Sequence, residues 1–164
     1  MLVLGNLLFA NTEYMTKYLI NIGKETLTFI FDCANDIYLP TKKFALKAFV
    51  NMLLEDRIVI DGKIIFEILN SILKILSTTD HIIGHYNCVE CILLIIHKSI
   101  MFHYQDDLRR FLIEKGVSDL LMKYETNILN ENYFHGYEKD EDEKNALNFI
   151  NEINHFINHE IKDN

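Results

Sequence analysis

Leu19-Ile20-Asn21-Ile22-Gly23, Val59-Ile60-Asp61-Gly62 and Leu112-Ile113-Glu114-Lys115-Gly116 are three apolar segments that each end in glycine. A short apolar, helix-spaced stretch follows every one, and a longer one follows the first two. Recurrence at a spacing of about 40 residues is the signature of a helical solenoid, whose single unit cannot bury its own apolar face. The recurrence therefore predicts an all-α, right-handed helical solenoid of about three repeats. Such a frame points to a binding scaffold and away from an enzyme.

The surrounding sequence supports long helices. With one proline and six glycines in 164 residues, the chain has little punctuation for short strands. Thr12 to Ile22 and Lys24 to Ala34 read as short helices, the second with Leu27, Ile30 and Phe31 on one face. Pro40 opens a longer helix, Thr41 to Leu54, because proline is tolerated in a first turn. Lys63 to Ser77 carries Ile64, Ile65, Ile68, Leu69, Ile72, Ile75 and Leu76 as one stripe. His81 to Met101 is apolar on nearly every side, which predicts a sandwiched helix. Gln105 to Lys115 and Val117 to Tyr124 flank Gly116, and Glu143 to about Ile161 closes the chain, with Ala146, Leu147, Ile150, Ile153, Ile157 and Ile161 inward. One domain is expected over residues 1–164. Residues 1–11 end a preceding repeat, and 12–55, 56–102 and 103–164 are successive repeats. Residues 127–142 read as a flexible loop, longer than ordinary helix connections.

Composition narrows the function. Hydrophobic residues at 49% and charged residues at 24% exclude general disorder. The net charge of −8 is unevenly placed: residues 136–164 hold eight acidic side chains and three lysines, or −5. Phosphate backbones demand clustered Lys and Arg, so nucleic acid is not an expected partner, whereas basic peptides suit an acidic surface. The longest uninterrupted apolar run, Cys91 to Ile96, is far shorter than a bilayer span, and no membrane partner is expected.

No enzyme chemistry stands out. Cys88-Val89-Glu90-Cys91 has the CxxC spacing, but a single pair inside an apolar helical run cannot supply four zinc ligands. Cys33, Cys88 and Cys91 read as core thiols of a reducing compartment. His81 and His85, like His155 and His159, are spaced i, i+4, without the glutamate of a metalloprotease helix. Asp106 and Asp107 point about 100° apart on a helix and cannot converge as paired acids; they suit the dipole of a helix start. No cofactor, metal or catalytic residue is assigned.

The pattern resembles a known family. Leu4-Gly5-Asn6-Leu7 before Thr12-Glu13-Tyr14, Phe44-Ala45-Leu46-Lys47-Ala48-Phe49-Val50-Asn51, and Phe111 through Asp119 are similar to the carboxy-terminal armadillo repeats of importin alpha, the nuclear import adaptor. That resemblance implies a concave groove in which asparagines of the long helices bind the backbone of an extended basic peptide and tryptophans hold its lysines. Asn6 and Asn51, 45 residues apart, match the asparagine positions; the tryptophan positions fall at Leu2 and Lys47. The chain has no tryptophan, and the second unit's asparagine position falls near Ile95.

The expected activity is therefore protein binding in nuclear import, in cytoplasm and nucleus, with a basic extended peptide as leading partner. Import or export receptors are further candidates, and association through the uncapped face at Met1 is another. The competing expectation is a general armadillo or HEAT scaffold that assembles with a folded protein and reads no nuclear signal.

Overall fold

Seven helices, joined by short connections, account for nearly everything seen in a computed structural model that describes residues 24–54, 62–78, 85–135 and 141–158. They are α1 (Lys24–Ala34), α2 (Leu39–Leu54), α3 (Gly62–Thr78), α4 (His85–Met101), α5 (Gln105–Glu114), α6 (Val117–His135) and α7 (Glu141–Asn158). Among the described residues there is no strand, so the fold is all-α. No helix of this set is long and apolar enough to cross a membrane.

Local chemistry explains where helices stop and start. Asn35 folds back at the end of α1, its side-chain amide donating to the Phe31 carbonyl at 2.9 Å. The Asp36 carboxylate then accepts the Tyr38 backbone N–H at 3.0 Å, an Asx turn that leads into α2 just before Pro40. At the other end of α3, Ser77 and Thr78 hydroxyls donate to the Lys74 carbonyl. Helix α4 ends differently: Tyr104 N–H reaches the Ser99 carbonyl while His103 sits at φ 60°, a left-handed cap more often given to glycine.

Packing follows the chain in pairs. Helix α1 lies on α2, α3 on α4 and α6 on α7, while the second members also pack on one another, α2 on α4 and α4 on α7. The first members do the same more sparingly, α1 on α3 and α3 on α6, and α5 fits among α4, α6 and α7. Rings mark these seams. Phe31 meets Phe49 across α1 and α2, and Phe66 meets Phe111 across α3 and α5 at 5.1 Å. Tyr86 stacks on Phe149 across α4 and α7. Such ring pairs contribute about 0.5–1.5 kcal/mol beyond their buried area.

The stripe on α3 is inward as expected: Ile65, Ile68, Leu69, Ile72, Ile75 and Leu76 are buried and Ile64 partly so. Full burial of each such side chain is worth about 1.5–3 kcal/mol. The sandwiched character of α4 also holds, with Cys88, Val89, Cys91, Ile92, Leu93, Ile95 and Ile96 inside. Lys98 and Ser99 are buried with them, as is His85, which meets Tyr124 edge-on at 4.8 Å.

Two expectations change. Residues 127–135 of the expected loop are helical, since α6 runs through His135, and α7 already begins at Glu141; residues 136–140 lie outside the described residues. The reason lies in Val117, Leu121, Tyr124 and Ile128, all buried, which continue one helical face past Tyr124. The three glycines also differ from one another. Gly116 adopts φ +61° between α5 and α6, whereas Gly62 is the first residue of α3 with open space around it. Gly23 lies outside the described residues, as do residues 1–22.

Candidate binding groove

The importin-like positions meet the structure only in part. Leu2 and Asn6 lie outside the described residues. Lys47 is exposed and Asn51 half-buried, one turn apart on the outward side of α2. The next rung is closed: Ile95 is 0% exposed in the interior, and the open side of α4 carries Leu94 and His97 instead. Charge is also against a cation here, because α2 bears Lys42, Lys43 and Lys47 and no carboxylate. Helix α7 is the opposite, with Glu141, Asp142, Glu143 and Glu152 against Lys144.

A depression elsewhere was not expected from the sequence. Helices α4, α5 and α7 enclose an open groove of about 390 Å³. Leu93, Ile96 and Ile100 of α4 and Phe156 of α7 make its apolar floor, and His97, Gln105, Arg109, Glu152 and His155 stand around it. Tyr86 on Phe149 near one end, and Leu93 to Ile100 facing Glu152 to Phe156 near the other, set α4 and α7 running the same way. The groove is the gap that opens between them beyond the ring stack.

Arg109 builds one wall. Its Nε donates to the Phe156 carbonyl at 2.9 Å, one of the terminal acceptors of α7, and its guanidinium lies 4.8 Å above the Phe156 ring centre. A third contact, from Nη1 to the Asp106 carboxylate at 3.2 Å, balances its charge. The aspartates expected to serve the helix dipole thus also pair with arginines, Asp106 with Arg109 and Asp107 with Arg110. Gln105 presents Oε1 as a buried acceptor with no donor. No sequence motif announces this constellation, since it joins residues some fifty positions apart. The available signal was Phe156, a large ring one step off the inward stripe of α7.

The remaining reactive groups are inert by environment. Cys33, Cys88 and Cys91 are free and buried. Burial pushes the Cys88 and Cys91 thiols far up, and it raises Cys33 too, with help from Asp36 and Asp32. A thiol so held is no nucleophile at neutral pH. Cys91 Sγ instead lies 3.8 Å from the Leu46 carbonyl, a weak bond between α4 and α2. Burial also pushes the Tyr104 phenol up to about 12. No group of three His, Cys, Asp or Glu side chains could hold a metal ion among the described residues. His81 and His159, the partners of the two expected histidine pairs, lie outside them.

No family model, curated protein or solved structure matches the chain. Function therefore rests on the fold and the groove.

Proposed function

We propose that the chain is an armadillo-type solenoid segment, akin to the carboxy-terminal repeats of importin alpha, that binds an extended peptide of another protein across α2, α4 and α7. One observation carries the reading. The second helices of successive pairs lie side by side, and the Cys91 thiol meets the carbonyl of Leu46, 45 positions earlier. That offset equals the separation of Asn6 and Asn51. Units stacked side by side present the same helix of each unit along one surface, which is how solenoids make extended binding faces. The order of α5, α6 and α7, with Gly116 between the first two, supports the reading, while α6 at 19 residues is longer than the short second helix of an armadillo unit.

Asn51 is the residue placed to hold peptide backbone, because an amide both donates and accepts. Titration of a fluorescent lysine-rich peptide against wild type and Asn51→Ala tests this. The alanine variant should bind more weakly, by about the 0.5–1.5 kcal/mol of a neutral hydrogen bond. Equal affinities remove Asn51 from the site.

The scaffold reading keeps one observation in its favour. Ile100, Met101 and Phe102 are consecutive and 52%, 55% and 41% exposed at the end of α4, an apolar spot suited to a folded partner. Light scattering separates the two readings: a stable assembly that ignores the peptide favours the scaffold.

A further inference from the structure

We propose that Ser77 is a phosphorylation site for an acidophilic serine/threonine kinase, and that the phosphoryl group draws Lys74 away from Asn35 and loosens the seam between α1 and α3. The sequence singles out this hydroxyl. Kinases of that class are steered by a carboxylate three residues beyond the acceptor, and Asp80 stands at that position. Of the chain's twelve serines and threonines, Ser77 alone has an acidic residue at that distance. The structure makes it reachable. Ser77 is exposed, one residue before the end of α3, where carbonyls lack intrahelical partners and the last turn opens readily.

A chain of hydrogen bonds starts at that hydroxyl. Ser77 Oγ donates to the Lys74 carbonyl at 3.0 Å, as Thr78 Oγ1 does at 2.7 Å. Lys74 Nζ reaches across 39 positions to donate to Asn35 Oδ1 at 2.8 Å, and the Asn35 amide donates to the Phe31 carbonyl at 2.9 Å. The Lys74 side chain thus ties α3, near its end, to the end of α1, and these are the first helices of successive pairs.

Phosphoryl transfer rewires this chain. Oγ attacks the γ-phosphorus of a nucleoside triphosphate, the bond from phosphorus to the departing diphosphate breaks, and the hydroxyl proton passes to the kinase's base. Oγ then has no proton to donate to the Lys74 carbonyl. About two negative charges arrive at a helix C-terminus, where the dipole is already negative. Lys74, three residues earlier, is the nearest cation along α3 and lies on the same side. The phosphate competes for its ammonium with a neutral amide oxygen, and direct attraction between opposite charges decides for the phosphate.

The test uses the full chain with an acidophilic serine/threonine kinase and magnesium ATP. One phosphoryl group should be incorporated and should map to Ser77 by peptide fragmentation. Ser77→Ala should abolish incorporation, and Asp80→Asn should slow it about tenfold, the worth of one charge-assisted contact. No incorporation, incorporation at another hydroxyl, or equal rates with Asp80→Asn overturn the site. Hydrogen exchange read by mass spectrometry then follows the seam. In the phosphorylated chain the last-turn amides of α1, Phe31 to Ala34, should exchange about tenfold faster while those of α6 keep their rates. Lys74→Met, without phosphate, should reproduce that acceleration; Ser77 and Lys74 are both exposed, so these variants fold. Unchanged exchange in α1, equal acceleration throughout the molecule, or a Lys74→Met chain that exchanges like wild type overturns the release of Lys74.

Discussion

Replacing Ile95 by asparagine separates two registers of α4. If position 95 faced the binding surface, as the importin-like spacing implies, Ile95→Asn would restore the missing amide rung at little cost. In the structure that side chain is 0% exposed, on the helix that packs against α2, α3, α5 and α7. Removing its methyl and methylene groups costs about 2–5 kcal/mol, as for other large-to-small core changes. The new amide brings two donors and two acceptor sites into an interior that satisfies none, about 1–3 kcal/mol more. The sum, about 3–8 kcal/mol, is a large share of the 5–15 kcal/mol that holds a typical domain folded. Urea denaturation followed by far-ultraviolet circular dichroism reads it directly. With a slope of about 2 kcal/mol per molar, the midpoint should fall by about 1.5–4 M. Leu94→Asn, one residue along and half-exposed, is the control and should cost under about 1.5 kcal/mol. If Ile95→Asn lowers stability by less than about 1 kcal/mol, or less than the Leu94 control, the packing of α4 is wrong.

Two further outcomes are expected. Gly116→Ala should destabilise by about 1 kcal/mol, because φ +61° strains any residue with a Cβ even though the nearest atom, Asp119 Oδ2, is 3.9 Å away; Gly62→Ala, in open space at a helix start, should be neutral or slightly stabilising. Thermal melts of the two variants check the contrast. The buried thiols set an alkaline limit: Cys88 and Cys91 stay protonated in the fold while the unfolded thiols ionise near 9.0. The unfolded state then binds fewer protons. Stability is therefore intact below that value and falls by about 1.4 kcal/mol per pH unit for each thiol above it. Urea midpoints at pH 8, 9 and 10 read the slope, and a flat profile would contradict the burial.

Helix positions were legible where an apolar stripe was clean. Lys24–Ala34 and Gly62–Thr78 agree with the sequence reading to within a residue, because their inward faces are unbroken. The second half of α6 was hidden because Asn127, Asn130 and Glu131 surround Ile128, and polar neighbours masked a single buried position. Burial of His85 and Lys98 was hidden for a related reason: a helix enclosed by four others has no side reserved for polar groups. The candidate site was the least legible part. Lys47 and Asn51 could be named from the local pattern, but whether position 95 opens outward depends on how α2 and α7 flank α4. The groove at Arg109 and Glu152 depends on three helices meeting, which no periodicity encodes.

The central place of α4 has a mechanical consequence. Its neighbours α2, α3, α5 and α7 all lose a supporting wall if it leaves, so the described helices have no seam along which they could part into two self-sufficient halves. Among the described helices α1, which packs on α2 and α3, can fray without disturbing α4. Once the middle helix yields, four helices each lose a buried face together, and collapse should arrive as a single event.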